Sequence, residues 1–188
     1  MSNLQETLGV YTTIPLVHSD NSLSDILERG EGFHLDVEST LSANNTSQTI
    51  NIAQVTSSVQ IIGIFGQITS ATTLTNATGA YLDLWDGTNS VDITNSSGGA
   101  SFGGFAVDAV LYKGQAASQV LDTIQNDQAR VTEPSADKKQ FQPFIITQKT
   151  GTNTYLRFTY TTTDAPIDAE IEWHIFYKHL NGGTLTAV

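Results

Sequence analysis

The sequence predicts an all-β protein, built as an antiparallel β-sandwich or jelly roll with one or two short helices. Apolar and polar residues alternate along several short runs, the pattern of strands that bury one face. Charged residues make up only 14% of the chain, and Ser, Thr, Asn and Gln stand in their place. These residues suit pleated surfaces and turns better than helices. Turn-forming residues separate the runs, so we expect eight or nine strands.

Length and charge narrow the possible functions. A chain of 188 residues can bury one core, and we expect one sandwich domain at residues 20–188 after an extended arm at residues 1–19. The net charge of -11 with 8 Lys+Arg disfavours nucleic acid and anionic membranes, because both are bound through cations. With no cysteine, neither disulfides nor a thiolate zinc site are expected. The N-terminus lacks the features of a secretory signal, so we expect synthesis in a cytoplasm.

The first half of the domain is predicted to begin with a short helix. A capping-box-like start at residues 22–25 and a glycine at Gly30 mark its ends. Alternation at residues 33–38 then indicates a half-buried strand, and another begins at Ile50. The run SVQIIGIFGQI, residues 58–68, is apolar at nearly every position. This run predicts a strand covered on both faces.

The second half contains the clearest hairpin, AYLDLWDGTNSVDIT at residues 80–94, whose turn residues 86–89 favour a tight reversal. A glycine-rich loop, a strand at residues 105–111 and a second short helix within residues 115–128 are expected next. That helix is predicted from the spacing of Val120, Leu121 and Ile124. The remaining strands are expected at residues 144–148, 154–161 and 168–180.

The last strand, DAEIEWHIFYKHL, carries histidines and carboxylates that raise the question of a metal site. At a period of two, Glu172 and His174 share the polar face. They could hold an ion only if a facing strand added a ligand. The strand at residues 154–160 offers none, and we expect Arg157 to pair with Glu170 or Glu172 instead. We therefore predict a solvated strand face and no metal, and His34, Asp36 and Glu38 have the same interpretation.

Enzymatic function has little support in the sequence. No serine lies in a G-x-S-x-G elbow, and cysteine nucleophiles are absent. The acidic residues around 83–92 do not match a calcium loop. No catalytic residue or cofactor is predicted. Tyr81, Asp83 and Trp85 share the outward face of the hairpin and form a possible sugar-stacking platform, although such aromatics more often cover a neighbouring strand or subunit.

The hairpin LDLWDGTNSVDIT and the closing TYLRFTYTTTDAPIDAEIEWHIFYKHLNGG resemble, in their texture, the β-rich structural proteins of tailed-bacteriophage virions. Head decoration proteins and short fibre or tail components share this acidic, cysteine-free, Thr/Ser/Asn-rich character. The resemblance covers about half of the chain and transfers no functional residue. It implies a virion subunit, assembled in the host cytoplasm, that binds and stabilises a lattice of the major capsid protein or another virion protein.

Such a subunit is expected to form a homo-oligomer, with a trimer favoured, because symmetric contacts cover strand edges. The arm is expected to make the partner contact through its apolar residues Leu8, Val10, Tyr11, Ile14, Leu16 and Val17. The alternative is a carbohydrate- or receptor-binding module of a phage tail or fibre, which would use the platform of the hairpin.

Overall fold

The computed structural model of the protein describes residues 32–41, 47–71, 77–97, 99, 106–113, 122–124, 143–162 and 169–188. These residues form nine strands and no helix, and they contain no segment able to cross a membrane as a helix. The all-β prediction is therefore confirmed. The strands are β1 (Phe33–Leu41), β2 (Ser47–Ala71), β3 (Thr78–Trp85), β4 (Ser90–Asp92), β5 (Val110–Tyr112), β6 (Asp122–Ile124), β7 (Phe144–Thr147), β8 (Thr154–Thr161) and β9 (Ala169–Ala187).

All nine strands belong to one hydrogen-bonded sheet in which neighbouring strands are antiparallel. The order along the main path is β1-β9-β2-β8-β3-β4. Strands β5 and β7 pair with other parts of β2, and β6 pairs with β5. The predicted hairpin is confirmed as β3 and β4, and its turn contains Gly87 at a φ of 89°. The arm and the first predicted helix lie outside the described residues.

Two local predictions in the middle of the chain are wrong. Residues 122–124 form strand β6 where a helix was expected, because Ile124 pairs with Val110 of β5 and this long-range pairing outweighs the local spacing. The strand expected from residue 105 begins only at residue 110. A turn precedes it, in which Asp108 has a φ of 71° and its backbone N–H donates to the carbonyl of Ile68.

The long strand β2 bends, and the sheet folds over on itself. Phe158 pairs with Ile50 of β2, and Trp173 pairs with Gly66 of the same strand. If β2 were straight, Ile50 and Gly66 would lie about 50 Å apart. The rings of Phe158 and Trp173 are nevertheless in contact, with centroids 5.0 Å apart. The core therefore lies between two halves of one sheet, the packing expected of a sandwich. The jelly-roll topology stays a prediction.

Strands β2 and β9 bend at the same place. Ser57 of β2 has a φ of 53°, and opposite it Asn181 and Gly182 of β9 have φ values of 49° and 73°. The hydroxyl of Ser57 donates to the carbonyl of Asn181 at 3.3 Å, and its backbone N–H donates to the side-chain oxygen of Gln148 at 3.0 Å. Paired irregularities of this kind bend both strands without breaking the ladder between them.

The apolar run at residues 58–68 buries one face rather than two. Val59, Ile61, Ile64, Gly66 and Ile68 are buried, whereas the residues that alternate with them, such as Gln60, Phe65 and Gln67, are only half-buried. A register shift between Ile61 and Gly63 resets the alternation, so that the apolar residues on both sides of the shift can point to the same core. The two-face prediction is therefore wrong.

The pattern of β9 is confirmed residue by residue. Its apolar set faces the core, with Trp173 and Ile175 fully buried, and lies opposite the apolar set of β1. Val37 pairs with Trp173, and Leu35 pairs with Ile175. The polar residues of both strands consequently share the opposite, outward face, which contains the candidate site.

Candidate functional site

The outward face of strands β1 and β9 carries a set of polar side chains that we call the polar ladder. In the antiparallel register Asp36 lies directly opposite His174, and Glu38 lies directly opposite Glu172. The two histidines of this face therefore come from different strands, far apart in sequence. The polar ladder consists of His34, Asp36, Glu38 and Thr40 on β1 and of Glu170, Glu172 and His174 on β9.

Three side chains of the polar ladder converge on one point. Oδ1 of Asp36 lies 2.8 Å from Nε2 of His34 and 2.6 Å from Nδ1 of His174. The two imidazole nitrogens are 3.3 Å from each other. A carboxylate oxygen is only an acceptor, so each imidazole donates its N–H to Asp36 in this arrangement. The same three atoms form the only group of potential metal ligands found among the described residues.

Aromatic rings hold both imidazoles in place. The ring of Phe176 stacks on His34 with centroids 4.4 Å apart and planes 4° from parallel. Phe65, on the neighbouring strand β2, stacks on His174 at 4.6 Å. These contacts restrict the χ angles of the imidazoles, so their nitrogens stay directed at Asp36. The side chain of His174 is 18% exposed, whereas those of His34 and Asp36 are 41% and 51% exposed.

Carboxylates surround the histidines. Glu38 and Glu172 face each other across β1 and β9, and like charges in directly opposite positions destabilise a sheet. Glu172 also approaches the second nitrogen of His174, with Oε2 at 3.9 Å from Nε2. The cluster therefore lies in a locally negative environment that favours a cation.

The sequence prediction for this face was wrong in its choice of neighbours. We expected the strand at residues 154–160 to lie beside β9, but β2 lies between β8 and β9 and β1 covers the other edge of β9. The missing ligands come from β1. The signal available in the sequence was the pair of patterns His34-x-Asp36 and Glu172-x-His174, each of which places two ligand types on one strand face.

Arg157 pairs with Asp83 rather than with a glutamate of β9. Asp83 lies directly opposite Arg157 and is fully buried. The Nε–H of Arg157 donates to its Oδ1 at 3.2 Å, while Nη2 binds both Oδ2 of Asp83 and the hydroxyl of Ser90. This bidentate geometry is the strong form of the carboxylate–guanidinium pair. The expected pairing with Glu170 or Glu172 is thereby corrected.

The predicted platform of Tyr81, Asp83 and Trp85 has a different composition in the structure. All three residues are on β3, but they lie opposite Thr159, Arg157 and Tyr155, respectively. Asp83 is occupied by its ion pair. Trp85 is half-buried and stacks on Tyr155 with centroids 6.1 Å apart, and the guanidinium of Arg157 lies 5.1 Å from its ring centre. Trp85 and Tyr155 therefore form a stacked aromatic pair, and a ligand-binding role for Tyr81 stays a prediction.

The predicted partner residues of the arm, from Leu8 to Val17, lie outside the described residues. Comparison of the chain with known protein families, with curated proteins and with solved structures finds no match. The fold and the candidate site therefore define the class of this protein. It is an all-β protein whose single sheet folds over on itself and carries a His–Asp–His cluster on its outward face.

Proposed function

We propose that the protein is a structural subunit that assembles into a protein lattice, as a capsid decoration or accessory protein of a virion does. The observation that supports this proposal best is the edge strand β1. Its nine residues pair with β9 in an unbroken register, and within the described part of the chain no strand pairs with its other side. An edge of this length presents backbone N–H and C=O groups to another chain.

The sequence of β1 leaves such pairing open. It contains no proline, and its register with β9 shows no bulge, which are two of the devices that protect an edge. Its two charged residues, Asp36 and Glu38, restrict the pairing to strands that place no carboxylate opposite them. Phe33 at its start is 37% exposed, and the arm with its apolar residues precedes it in sequence. A strand or arm of a neighbouring subunit would complete the sheet there and cover this apolar surface. The same contact repeated around an axis would build a symmetric homo-oligomer, for which we favour a trimer.

The test is to weaken the proposed contact between the arm and a neighbouring subunit, using the whole chain. Replacing Leu8, Val10, Tyr11 and Ile14 with serine should convert an oligomer into a monomer in light scattering, because those side chains would no longer be buried against a neighbour. The unfolding midpoint of the monomeric domain should change little. A wild-type chain that is monomeric at high concentration, or a serine variant that still assembles, would contradict the proposal.

A census of purified particles by mass spectrometry tests the cellular context. Copies in the hundreds per particle would support a decoration subunit, and a handful would place the protein in a tail. Absence from particles made in infected cells would rule out a virion role while leaving the assembly experiment interpretable.

The second candidate function is binding of a carbohydrate or receptor, and the stacked pair of Trp85 and Tyr155 favours it. Sugar rings stack on half-exposed aromatic faces of this kind, and Arg157 beside them could donate to hydroxyl groups. Glycan-array binding that is lost in Trp85→Ala and kept in Tyr81→Ala would favour this function. Equal binding by the wild type and Trp85→Ala would remove its support.

A further inference from the structure

We propose that His34, Asp36 and His174 form a binding site for a divalent transition-metal ion of the Zn²⁺ class, with Glu172 as a positioning residue. The proposal does not depend on the function proposed above. It rests on the convergence of three ligand atoms, on the rings that hold them and on the charge around them.

The distances between the ligand atoms agree with a shared ion. Zn²⁺ binds imidazole nitrogen and carboxylate oxygen at about 2.0–2.2 Å, so the ligand atoms of a tetrahedral site lie about 3.3 Å apart. The nitrogens of His34 and His174 already have this spacing, at 3.3 Å. The two distances to Asp36, 2.8 and 2.6 Å, are those of hydrogen bonds. A small rotation of this half-exposed carboxylate opens the gap for the ion.

The imidazoles need only a change of tautomer to become ligands. The nitrogens that donate to Asp36 would release that hydrogen and carry the proton on the other ring nitrogen. For His174 that other nitrogen lies 3.9 Å from Oε2 of Glu172, which is the distance of an ion pair and longer than a hydrogen bond. A change of the Glu172 side-chain rotamer would let the carboxylate accept this N–H, and such a hydrogen bond orients a metal-bound imidazole and increases its basicity. Glu172 would thus act on the ion through His174.

The negative charges of the polar ladder favour the binding of a cation at the cluster. Asp36, Glu38, Glu170 and Glu172 all project from this face, and Glu38 and Glu172 occupy directly opposite positions. Lys178, on the same face of β9, lies at the middle of the strand, opposite Gln60 of β2 and four residues beyond His174. A bound divalent ion reduces the repulsion between the carboxylates.

The donor set also selects the kind of ion. Two imidazoles with one carboxylate suit Zn²⁺, Cu²⁺, Ni²⁺ or Fe²⁺, whereas Ca²⁺ and Mg²⁺ prefer sites made of oxygen ligands only. The three ligands lie on the outward side of the sheet, and Asp36 is half exposed. A fourth position therefore faces solvent, as in sites that keep a water molecule on the metal.

The experiment is calorimetric titration of the chelator-treated full-length protein with ZnCl₂. Wild-type protein should bind Zn²⁺ in a saturable manner at this site. His34→Ala and His174→Ala each remove a ligand. Each should weaken the affinity for Zn²⁺ by more than 10–100-fold, which is the typical effect of replacing a residue that is hydrogen-bonded to a metal ligand. His179→Ala is the matched control, since His179 lies on β9 but outside the cluster. Its affinity should equal that of the wild type.

Glu172→Gln separates positioning from fold stability. It should weaken Zn²⁺ binding about 10–100-fold and alter the visible absorption of bound Co²⁺, while the melting temperature of the metal-free protein does not fall. If Glu172 acts only on the fold, its substitution should leave both the Zn²⁺ affinity and the Co²⁺ spectrum as in the wild type, whatever its effect on the melting temperature.

A measurement on the wild type guards against variants that fail to fold. Paramagnetic Co²⁺ should broaden the amide signals of residues 34–36 and 172–176 before other signals of the sheet. The proposal would be overturned if the wild type shows no saturable Zn²⁺ binding, or if His34→Ala and His174→Ala bind Zn²⁺ with the affinity of the wild type. Broadening confined to other residues would also overturn it.

Discussion

Arg157 binds the fully buried carboxylate of Asp83 from the directly opposite position on the neighbouring strand. The guanidinium is itself mostly buried, with 17% of the side chain exposed, and lies over the ring of Trp85. A carboxylate without solvent needs a partner of opposite charge and full hydrogen bonding. Arg157 and the hydroxyl of Ser90 supply both.

Replacing Arg157 with methionine should strongly destabilise the fold. The variant keeps most of the side-chain volume but leaves Asp83 buried without its positive charge, which costs about 3–5 kcal/mol of unfolding free energy for pairs of this kind. Urea denaturation followed by tryptophan fluorescence measures the change. The double variant Asp83→Leu/Arg157→Met is the control, and it should be more stable than Arg157→Met because no uncompensated charge remains. A double variant that is the less stable of the two would contradict this explanation.

Two glycines of β2 offer a matched test of how tightly the core is packed. A Cβ at Gly66 would lie 2.7 Å from Cγ2 of Ile171 and 2.9 Å from the ring of Trp173, whereas at Gly63 its nearest neighbour would be Phe176 at 3.6 Å. Gly66→Ala should therefore lower the unfolding free energy by about 1–3 kcal/mol, the usual cost of overpacking. Gly63→Ala should be neutral or slightly stabilising. Thermal unfolding of both variants measures the difference. Equal midpoints would show that the side chains of β9 rearrange at little cost to accommodate the added methyl group.

The sequence was sufficient to predict which residues of a strand share a face, but not which strands become neighbours. The period of two in residues 169–177 assigns Trp173 to the core and His174 to the outside, and both assignments are confirmed. Periodicity carries no information about pairing between distant segments. The insertion of β2 between β8 and β9 could not be derived from it, and the approach of β1 to β9 was missed for the same reason.

This difference explains why the His–Asp–His cluster was overlooked. Each half, His34-x-Asp36 and Glu172-x-His174, is an ordinary polar strand face when taken alone. Only the register that places Asp36 opposite His174 brings three ligand atoms together. The same limit applies to Asp83, whose outward position in β3 was predicted from alternation but which is fully buried beside Arg157 of another strand.

Neutralising one member of the opposed glutamate pair should stabilise the metal-free protein. Glu38 and Glu172 lie directly opposite each other, so Glu38→Gln removes a like-charge repulsion of the order of 0.2–1 kcal/mol. Thermal unfolding in the presence of a chelator should show a higher midpoint at low salt, and the gain should shrink in high salt because the charges are then screened. Glu170→Gln is the control, because Glu170 faces Thr40. A lower midpoint for Glu38→Gln at low salt would show that Glu38 makes a favourable contact instead.

Asp86, in the turn of the β3–β4 hairpin, should make the unfolding free energy depend on pH in the acid range. The backbone N–H of Asn89 is the main cause that lowers the pKa of Asp86 from 3.8 to about 2, and Lys149 contributes from 3.1 Å. Because the pKa is lower in the folded state, the stabilisation is fully present above pH 3.8 and is lost as the pH falls through about 2. The difference in unfolding free energy between the wild type and Asp86→Ala should therefore be constant near neutral pH and shrink over this window. In Lys149→Met, an NMR titration of the Asp86 carboxyl should give a pKa between the two values, since the backbone donors remain. A difference in unfolding free energy that does not change down to pH 2 would contradict the assignment.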